Sequence, residues 1–203
     1  FIFWGATILA VLIAAGAGLL TFRALKTNYQ LRIMSSHDSL TGLFNRHYLN
    51  EYQTMVLAAA KRNNRRVGFM SMDLNHFKNI NDTYGHNVGD LVLTETARVL
   101  KQSTRTNEAA FRLGGDEFLI IMPDIKDRTA LQQARERLAN SFKTEFQLAD
   151  YPAKIAVSIG TALFPEDGDN IDALLQIADE EMYADKKKQK TKEAENLSDQ
   201  PSG

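Results

Sequence analysis

The order of apolar and polar positions divides the chain into an apolar leader and a charged remainder. Phe1 to Phe22 carry no charge, and 17 of these 22 positions are apolar. At about 1.5 Å per helical residue the run spans about 33 Å, close to the roughly 30 Å hydrocarbon core of a bilayer. A transmembrane helix over 1–22 is therefore expected. A secretory signal peptide is the rival reading, supported by the small residues Ala14-Ala15-Gly16-Ala17-Gly18. Against it, the run exceeds an apolar h-region of about 7–15 residues, and no basic segment precedes it. Opening on Phe1 without an initiator Met is read as the loss of an upstream region. Arg23, Lys26 and Arg32 come before the first acidic residue, Asp38, which orients the C-terminal side toward the cytoplasm. No Pro or Gly falls between Thr21 and Ser36, and Phe22, Leu25, Tyr29 and Ile33 recur at spacings of three and four. This predicts a linker helix over 23–36, either a short parallel coiled coil between two copies or a solvated helix.

Beyond the linker the periodicity changes repeatedly. From Asn45, Tyr48, Leu49, Tyr52, Met55, Val56 and Ala59 trace a helix that ends at Lys61-Arg62-Asn63-Asn64. Val67 to Met72 reads as a buried strand closing at Asp73, followed by a polar loop from Leu74 to Gly89 and a helix from about Asp90 to Gln102. Ala109 to Leu113 and Glu117 to Met122 flank Gly114-Gly115-Asp116 and predict a β-hairpin. A helix over Asp127 to Phe146, a strand over Lys154 to Thr161 and a helix over Ile171 to Lys188 complete the pattern, and the polar stretch 191–203 reads as a disordered tail. Strands separated by helices around one hairpin predict an α+β domain with a mostly antiparallel sheet.

Composition narrows the chemistry. The chain has 24 Lys+Arg against 25 Asp+Glu, a net charge of −1, which argues against a general nucleic-acid binder. Without Cys there is no disulfide framework, thiolate nucleophile or Cys-ligated metal. Asp73 closes one strand and Asp116-Glu117 sits on the hairpin tip. If the hairpin pairs beside the first strand, these carboxylates converge, and hard oxygen ligands suit Mg²⁺ or Mn²⁺ and hence phosphate chemistry. The plain alternative for Gly-Gly is an ordinary turn. The amides and carboxylates between Asp73 and Asp90 could read a base edge or merely cap a helix.

Arg112-Leu113-Gly114-Gly115-Asp116-Glu117-Phe118 resembles the signature of GGDEF-domain diguanylate cyclases, and Asp38-Ser39-Leu40-Thr41-Gly42-Leu43-Phe44-Asn45-Arg46 is similar to that family's opening motif. The Asp73 to Asp90 segment, Val157-Ser158-Ile159-Gly160, and Ala178-Asp179 through Met182-Tyr183 to Lys186 agree in order and spacing. The resemblance places a GGDEF domain over 37–190 and implies a palm-like, ferredoxin-like fold. It also implies condensation of two GTP into cyclic di-GMP with release of two pyrophosphates. By the same resemblance Asp73, the Leu74 carbonyl, Asp116 and Glu117 would hold two Mg²⁺ or Mn²⁺ ions per half-site, with Asp73, Asp116 and Glu117 as the catalytic carboxylates. Asn81 and Asp90 would read guanine, while the backbone near Phe77 and Lys78, together with Lys186 and Lys190, would hold phosphates.

One such domain binds one GTP and the product joins two, so a homodimer is implied, with the linker setting whether the half-sites meet. The implied setting is a single-pass protein of the bacterial cytoplasmic membrane with its catalytic domain in the cytoplasm. Three departures stand out. The family's Arg-x-x-Asp product-inhibition site reads Arg105-Thr106-Asn107-Glu108, whose longer acid implies weakened feedback. Glu181 and Asp185 stand where Ala is usual, and Lys190 stands where Arg is frequent, keeping a point charge but losing the bidentate fork. The rival function is a catalytically inactive receptor for GTP or cyclic di-GMP that signals through its dimer helix. A cyclase of different base specificity is a third reading, which Asp90 disfavours.

Overall fold

The computed structural model describes residues 17–23, 36–143, 146–148, 151–153 and 155–198. Residues 17–23 are helical. Among the described residues no helix is long and apolar enough to cross a membrane. The span expected over 1–22 falls mostly outside the described residues, and the linker helix expected over 23–36 almost wholly so.

From Asp38 onward the chain runs β1 (Phe44–Asn45), α1 (Arg46–Asn63), β2 (Val67–Leu74), α2 (Phe77–Tyr84), α3 (His86–Ser103), β3 (Ala109–Gly114), β4 (Glu117–Pro123), α4 (Arg128–Ser141), β5 (Phe146–Leu148), β6 (Tyr151–Ala153), β7 (Val157–Phe164) and α5 (Ile171–Ser198). The main sheet has the order β1-β3-β4-β2-β7; only the β1–β3 pair is parallel. The expected α+β fold with a mostly antiparallel sheet is therefore present. Both faces are covered, which is why β2 reads as a near-continuous apolar run rather than an alternation. Met70, Met72 and Leu74 face a core shared with Val92, Leu93 and Leu100 of α3 and Leu131 and Leu138 of α4. Val67 and Phe69 face the opposite core, with Leu49, Val56 and Leu57 of α1 and Leu174 and Ala178 of α5. The period of two thus puts Asp73 on the α1/α5 side.

Several boundaries differ from the sequence expectation. The segment read as a loop from Leu74 to Gly89 holds α2 and the start of α3, parted at Gly85. Its Asn-rich composition is weakly helix-forming, but Phe77 and Ile80 pack against the core, and that burial decides. Helix α4 ends at Ser141 and not at Phe146, which instead opens the β5–β6 ribbon. Strand β7 continues past Thr161 to Phe164 because Ala162, Leu163 and Phe164 are all buried. Helix α5 runs to Ser198, through most of the tail expected to be disordered from 191; Lys, Gln, Glu and Ala dominate there and are strong helix formers.

Helix α5 lies against β7 at one tight point. A Cβ placed on Gly160 would sit 1.9 Å from the Ala178 carbonyl oxygen and 2.3 Å from the Met182 nitrogen, both backbone atoms that cannot rotate away. Gly160→Ala should therefore cost at least about 1–3 kcal/mol, the usual range for overpacking. Urea unfolding measures this, and a midpoint unchanged from the parent would contradict the close approach.

Candidate active site

The site forms where β2 ends beside the β3–β4 hairpin. Asp73 is the cross-strand partner of Glu117 on one side and of Ser158 on the other. The hairpin register shifts between Arg112 and Gly114, so Gly114 faces Glu117 and the tip is Gly115-Asp116, one residue later than a Gly-Gly turn would place it. Gly114 and Gly115 have φ of 145° and 54°, conformations that L side chains rarely adopt. The Leu74 N–H donates to the Asp116 carbonyl at 3.3 Å, pinning the tip to the end of β2. Asp73, Leu74, Asp116 and Glu117 are thereby gathered as expected. A cleft of about 610 Å³ opens beside Glu117, between Arg46 and Asn50 of α1 and Asp179 and Tyr183 of α5.

The electrostatics follow from this crowding. Burial, and then the neighbouring Asp73 carboxylate, push the Asp116 carboxyl above the ordinary value of 3.8; Lys186, Arg112 and a backbone hydrogen bond offset this only partly. The Lys186 ammonium is ion-paired with Asp73, both side chains being largely buried. Arg46 donates to the Leu113 carbonyl at 3.1 Å and lies 3.7 Å from the Glu117 carboxylate.

The remaining predicted residues divide into two groups. A Cβ on Gly89 would fall 1.9 Å from the Asn81 side-chain oxygen, so Asn81 of α2 lies against α3 one residue before the exposed Asp90. Phe77 and the exposed Lys78 form the first turn of α2, whose N-terminus has no side-chain cap, and Lys190 is exposed one turn beyond Lys186. Phe77 and Lys78 follow the end of β2 that carries Asp73, and Lys190 follows Lys186 on α5. Arg105 and Glu108 lie elsewhere: they precede β3, at the end opposite the hairpin tip. The Glu108 carboxylate is only 4% exposed and accepts the Arg105 N–H at 2.8 Å, closing its own turn, while the exposed Arg105 guanidinium lies 3.9 Å from the same carboxylate.

Among the described residues no cluster of three or more His, Cys, Asp or Glu side chains is close enough to hold a metal ion on its own. The donor chemistry nevertheless fits a hard cation. The Asp73 and Asp116 carboxylates are near enough for one to raise the other, and such paired oxygen donors are what a hard divalent ion takes.

Sequence reasoning missed the residues that brace this arrangement. Arg112 donates to the Gly115 carbonyl at 3.1 and 2.9 Å and to Asp38 at 3.0 Å, tying the opening motif to the hairpin tip. Burial alone would raise the Asp38 carboxyl, but hydrogen bonds from the Thr41 hydroxyl and N–H and from Arg112 outweigh it and hold it below the ordinary range. Asn75, Ser158 and Gln189 form a second brace: Ser158 donates to Asn75 at 2.9 Å and Asn75 donates to Gln189 at 2.7 Å. The sequence signal for both braces is motif membership: Asp38 and Arg112 lie in two separate motifs, as do Asn75 and Ser158, while Gln189 lies outside any of them.

A carboxyl raised on folding contributes stability at low pH that is lost as pH rises through its folded-state value. Asp116→Asn removes this loss. The variant should melt higher than the parent at pH 7, with the gain shrinking as the pH falls toward and below 3.8. Thermal melts of the metal-free chain across that range test the sign, and a variant less stable at neutral pH would contradict it.

Comparison with known proteins agrees with the geometry. The chain matches the family described as diguanylate cyclase, GGDEF domain, over residues 35–192. It is 36% identical over 158 residues to the bifunctional diguanylate cyclase/cyclic di-GMP phosphodiesterase MucR of Pseudomonas aeruginosa, covering 78% of this chain and 23% of MucR. It is also 36% identical over 171 residues to the diguanylate cyclase DgcP of Escherichia coli, covering 82% and 49%. The crystal structure of the coiled coil and GGDEF domain of DgcB from Caulobacter crescentus, in complex with c-di-GMP, superposes with a TM-score of 0.78 at 25% identity, covering 85% of this chain and 92% of DgcB's. The chain spans only 19–23% of the length of the first three curated relatives. With the signature hairpin, the carboxylates beside it and a match over most of its length, the chain belongs to the GGDEF-domain diguanylate cyclase family.

Proposed function

We propose that the chain condenses two GTP into cyclic di-GMP and two pyrophosphates, at a site completed when two copies bring their half-sites together. The observation that carries this reading is the convergence of Asp73, Asp116 and Glu117 at the hairpin tip, with Lys186 paired to Asp73. Asp73, the Leu74 carbonyl, Asp116 and Glu117 would hold two Mg²⁺ or Mn²⁺ ions, which when bound neutralise charge at the attacked phosphate and orient the nucleophile. Asp90 accepts from guanine N1 and N2, and the Asn81 amide can both donate and accept. The uncapped N-terminus of α2 at Phe77 and Lys78 offers backbone N–H groups to a phosphate, and Lys186 and Lys190 add cationic charge. Glu117 accepts the proton of the attacking 3′-hydroxyl or assists in holding the cations. Each 3′-hydroxyl attacks the α-phosphate of the other GTP, so the reaction depends on a homodimer. The charge-free stretch 1–22 and the basic residues after it support anchoring in the bacterial cytoplasmic membrane with the domain on the cytoplasmic side.

Incubation of the dimeric chain with GTP and Mg²⁺ should release pyrophosphate and a cyclic dinucleotide, and Asp116→Asn should abolish turnover without unfolding the domain. GTP binding without turnover in a demonstrated dimer would favour the inactive-receptor reading and overturn this one. Because Glu108 is turned into its own loop, added cyclic di-GMP at low micromolar concentration should leave the rate nearly unchanged. Strong inhibition at that concentration, abolished by Arg105→Ala, would show that the feedback site works.

A further inference from the structure

Lys186 has two demands on it that cannot be met at once. Its ammonium is in hydrogen-bonding contact with the Asp73 carboxylate, and the pair is well shielded, with 26% and 14% of the two side chains exposed. A divalent cation bound to the same carboxylate at about 2.0–2.6 Å would stand against this ammonium at contact distance, a repulsion that shielding from water makes large. The helix backbone carrying Lys186 is held in place. On one side Asp185 accepts the Ile159 N–H at 3.1 Å and pairs with Arg135 at 3.2 Å. One turn on, Gln189 donates to the Val157 carbonyl at 3.0 Å and accepts from Asn75. What can move is the side chain of Lys186 alone, a flexible stem ending in a point charge.

We propose that Lys186 is the resident counter-ion of Asp73 in the empty site, and that binding of a divalent cation displaces its ammonium onto the nucleotide's phosphate. The empty site is thereby kept from presenting unbalanced carboxylates, and the ammonium is released for the phosphate when the cation arrives. The counter-ion half rests on geometry alone; the phosphate half rests on the cyclase reading above. The consequence is a pair of effects of opposite sign. Removing the charge of Lys186 should tighten cation binding without nucleotide and weaken nucleotide binding. A lysine that served only as a phosphate ligand would leave the first unaffected.

The test uses the full chain without nucleotide, Mn²⁺ as the probe, and the electron paramagnetic resonance of free Mn²⁺ as the readout. Lys186→Met, of similar length and no charge, should bind Mn²⁺ about tenfold tighter or more, since an opposite charge at this range alters a carboxylate's proton affinity by about ten- to a thousandfold. Lys186→Arg, which keeps the charge, should remain near the parent. Asp73→Asn should abolish the site in every background. A GTP analogue with an α,β-methylene bridge should bind Lys186→Met more weakly than the parent. If Lys186→Met leaves Mn²⁺ affinity unchanged or lower while Asp73→Asn abolishes it, the counter-ion role is overturned and the metal reading stands. If Lys186→Arg tightens Mn²⁺ as much as Lys186→Met, the effect is one of packing and the proposal also fails. If Asp73→Asn does not alter Mn²⁺ binding, the metal reading itself fails.

Discussion

The placement of α5 along the outer edge of β7 is the constraint on which the site depends. Among the described residues β7 has no strand neighbour on that side, so alternate backbone groups there must find other partners or remain buried and unpaired. They find them in side chains. The N–H groups of Ile159, Thr161 and Leu163 donate to Asp185, Glu181 and Asp167 at 3.1, 2.6 and 2.7 Å. The carbonyls of Val157 and Ile159 accept from Gln189 and Arg135, each at 3.0 Å. Hydrogen bonds to charged groups contribute about 1.5–3 kcal/mol each, so the edge is closed nearly as firmly as by another strand. Those made by Glu181, Asp185 and Gln189 fix the axial position of α5. A slip of one residue would move Lys186 by about 1.5 Å and turn it by about 100°, away from Asp73.

A second consequence concerns charge. Asp73 and Glu117 are held opposite each other by strand register, and Asp116 is held beside them by the hairpin tip, whatever their mutual repulsion. Strand pairing along β2 and β4 extends over seven registered positions, so the sheet can impose a crowding that the carboxylates alone would avoid. Lys186 and Arg112 relieve part of it, and burial first, with the Asp73 carboxylate after it, still leaves the Asp116 carboxyl raised. Trading Asp116 for a neutral group would relieve this crowding at the expense of the proposed cation site, the usual opposition of stability and activity at a functional site.

The fold was legible wherever periodicity was strong. Helix α1, strand β2 and the hairpin lie where their apolar spacing predicted, because each buries a continuous face or both faces. Helix α2 was not legible: eight residues of Phe-Lys-Asn-Ile-Asn-Asp-Thr-Tyr carry little intrinsic helix preference, and the packing of the partly buried Phe77 and Ile80 against the core favours the helix. The convergence of the carboxylates was legible from their places at a strand end and a hairpin tip. The braces were not, because Asn75 meets Gln189 across 114 positions and Arg112 meets Asp38 across 74. No local pattern encodes such separations.

Glu181 and Asp185 show how a departure from a family pattern can be structural in this chain. In the sequence they are two acids where small apolar residues are usual, next to a lysine that the chemistry needs. Neither is left free: both oxygens of Asp185 are taken, by the Ile159 N–H, the Arg135 guanidinium and the Gln189 amide, and one oxygen of Glu181 accepts from both the Thr161 N–H and its hydroxyl. Both acids act toward β7, while Lys186 reaches Asp73 on β2. The departure thus adds edge-closing acceptors without drawing Lys186 off the site, and the polarity of α5 at its contact with the sheet becomes part of what holds the lysine where it must act.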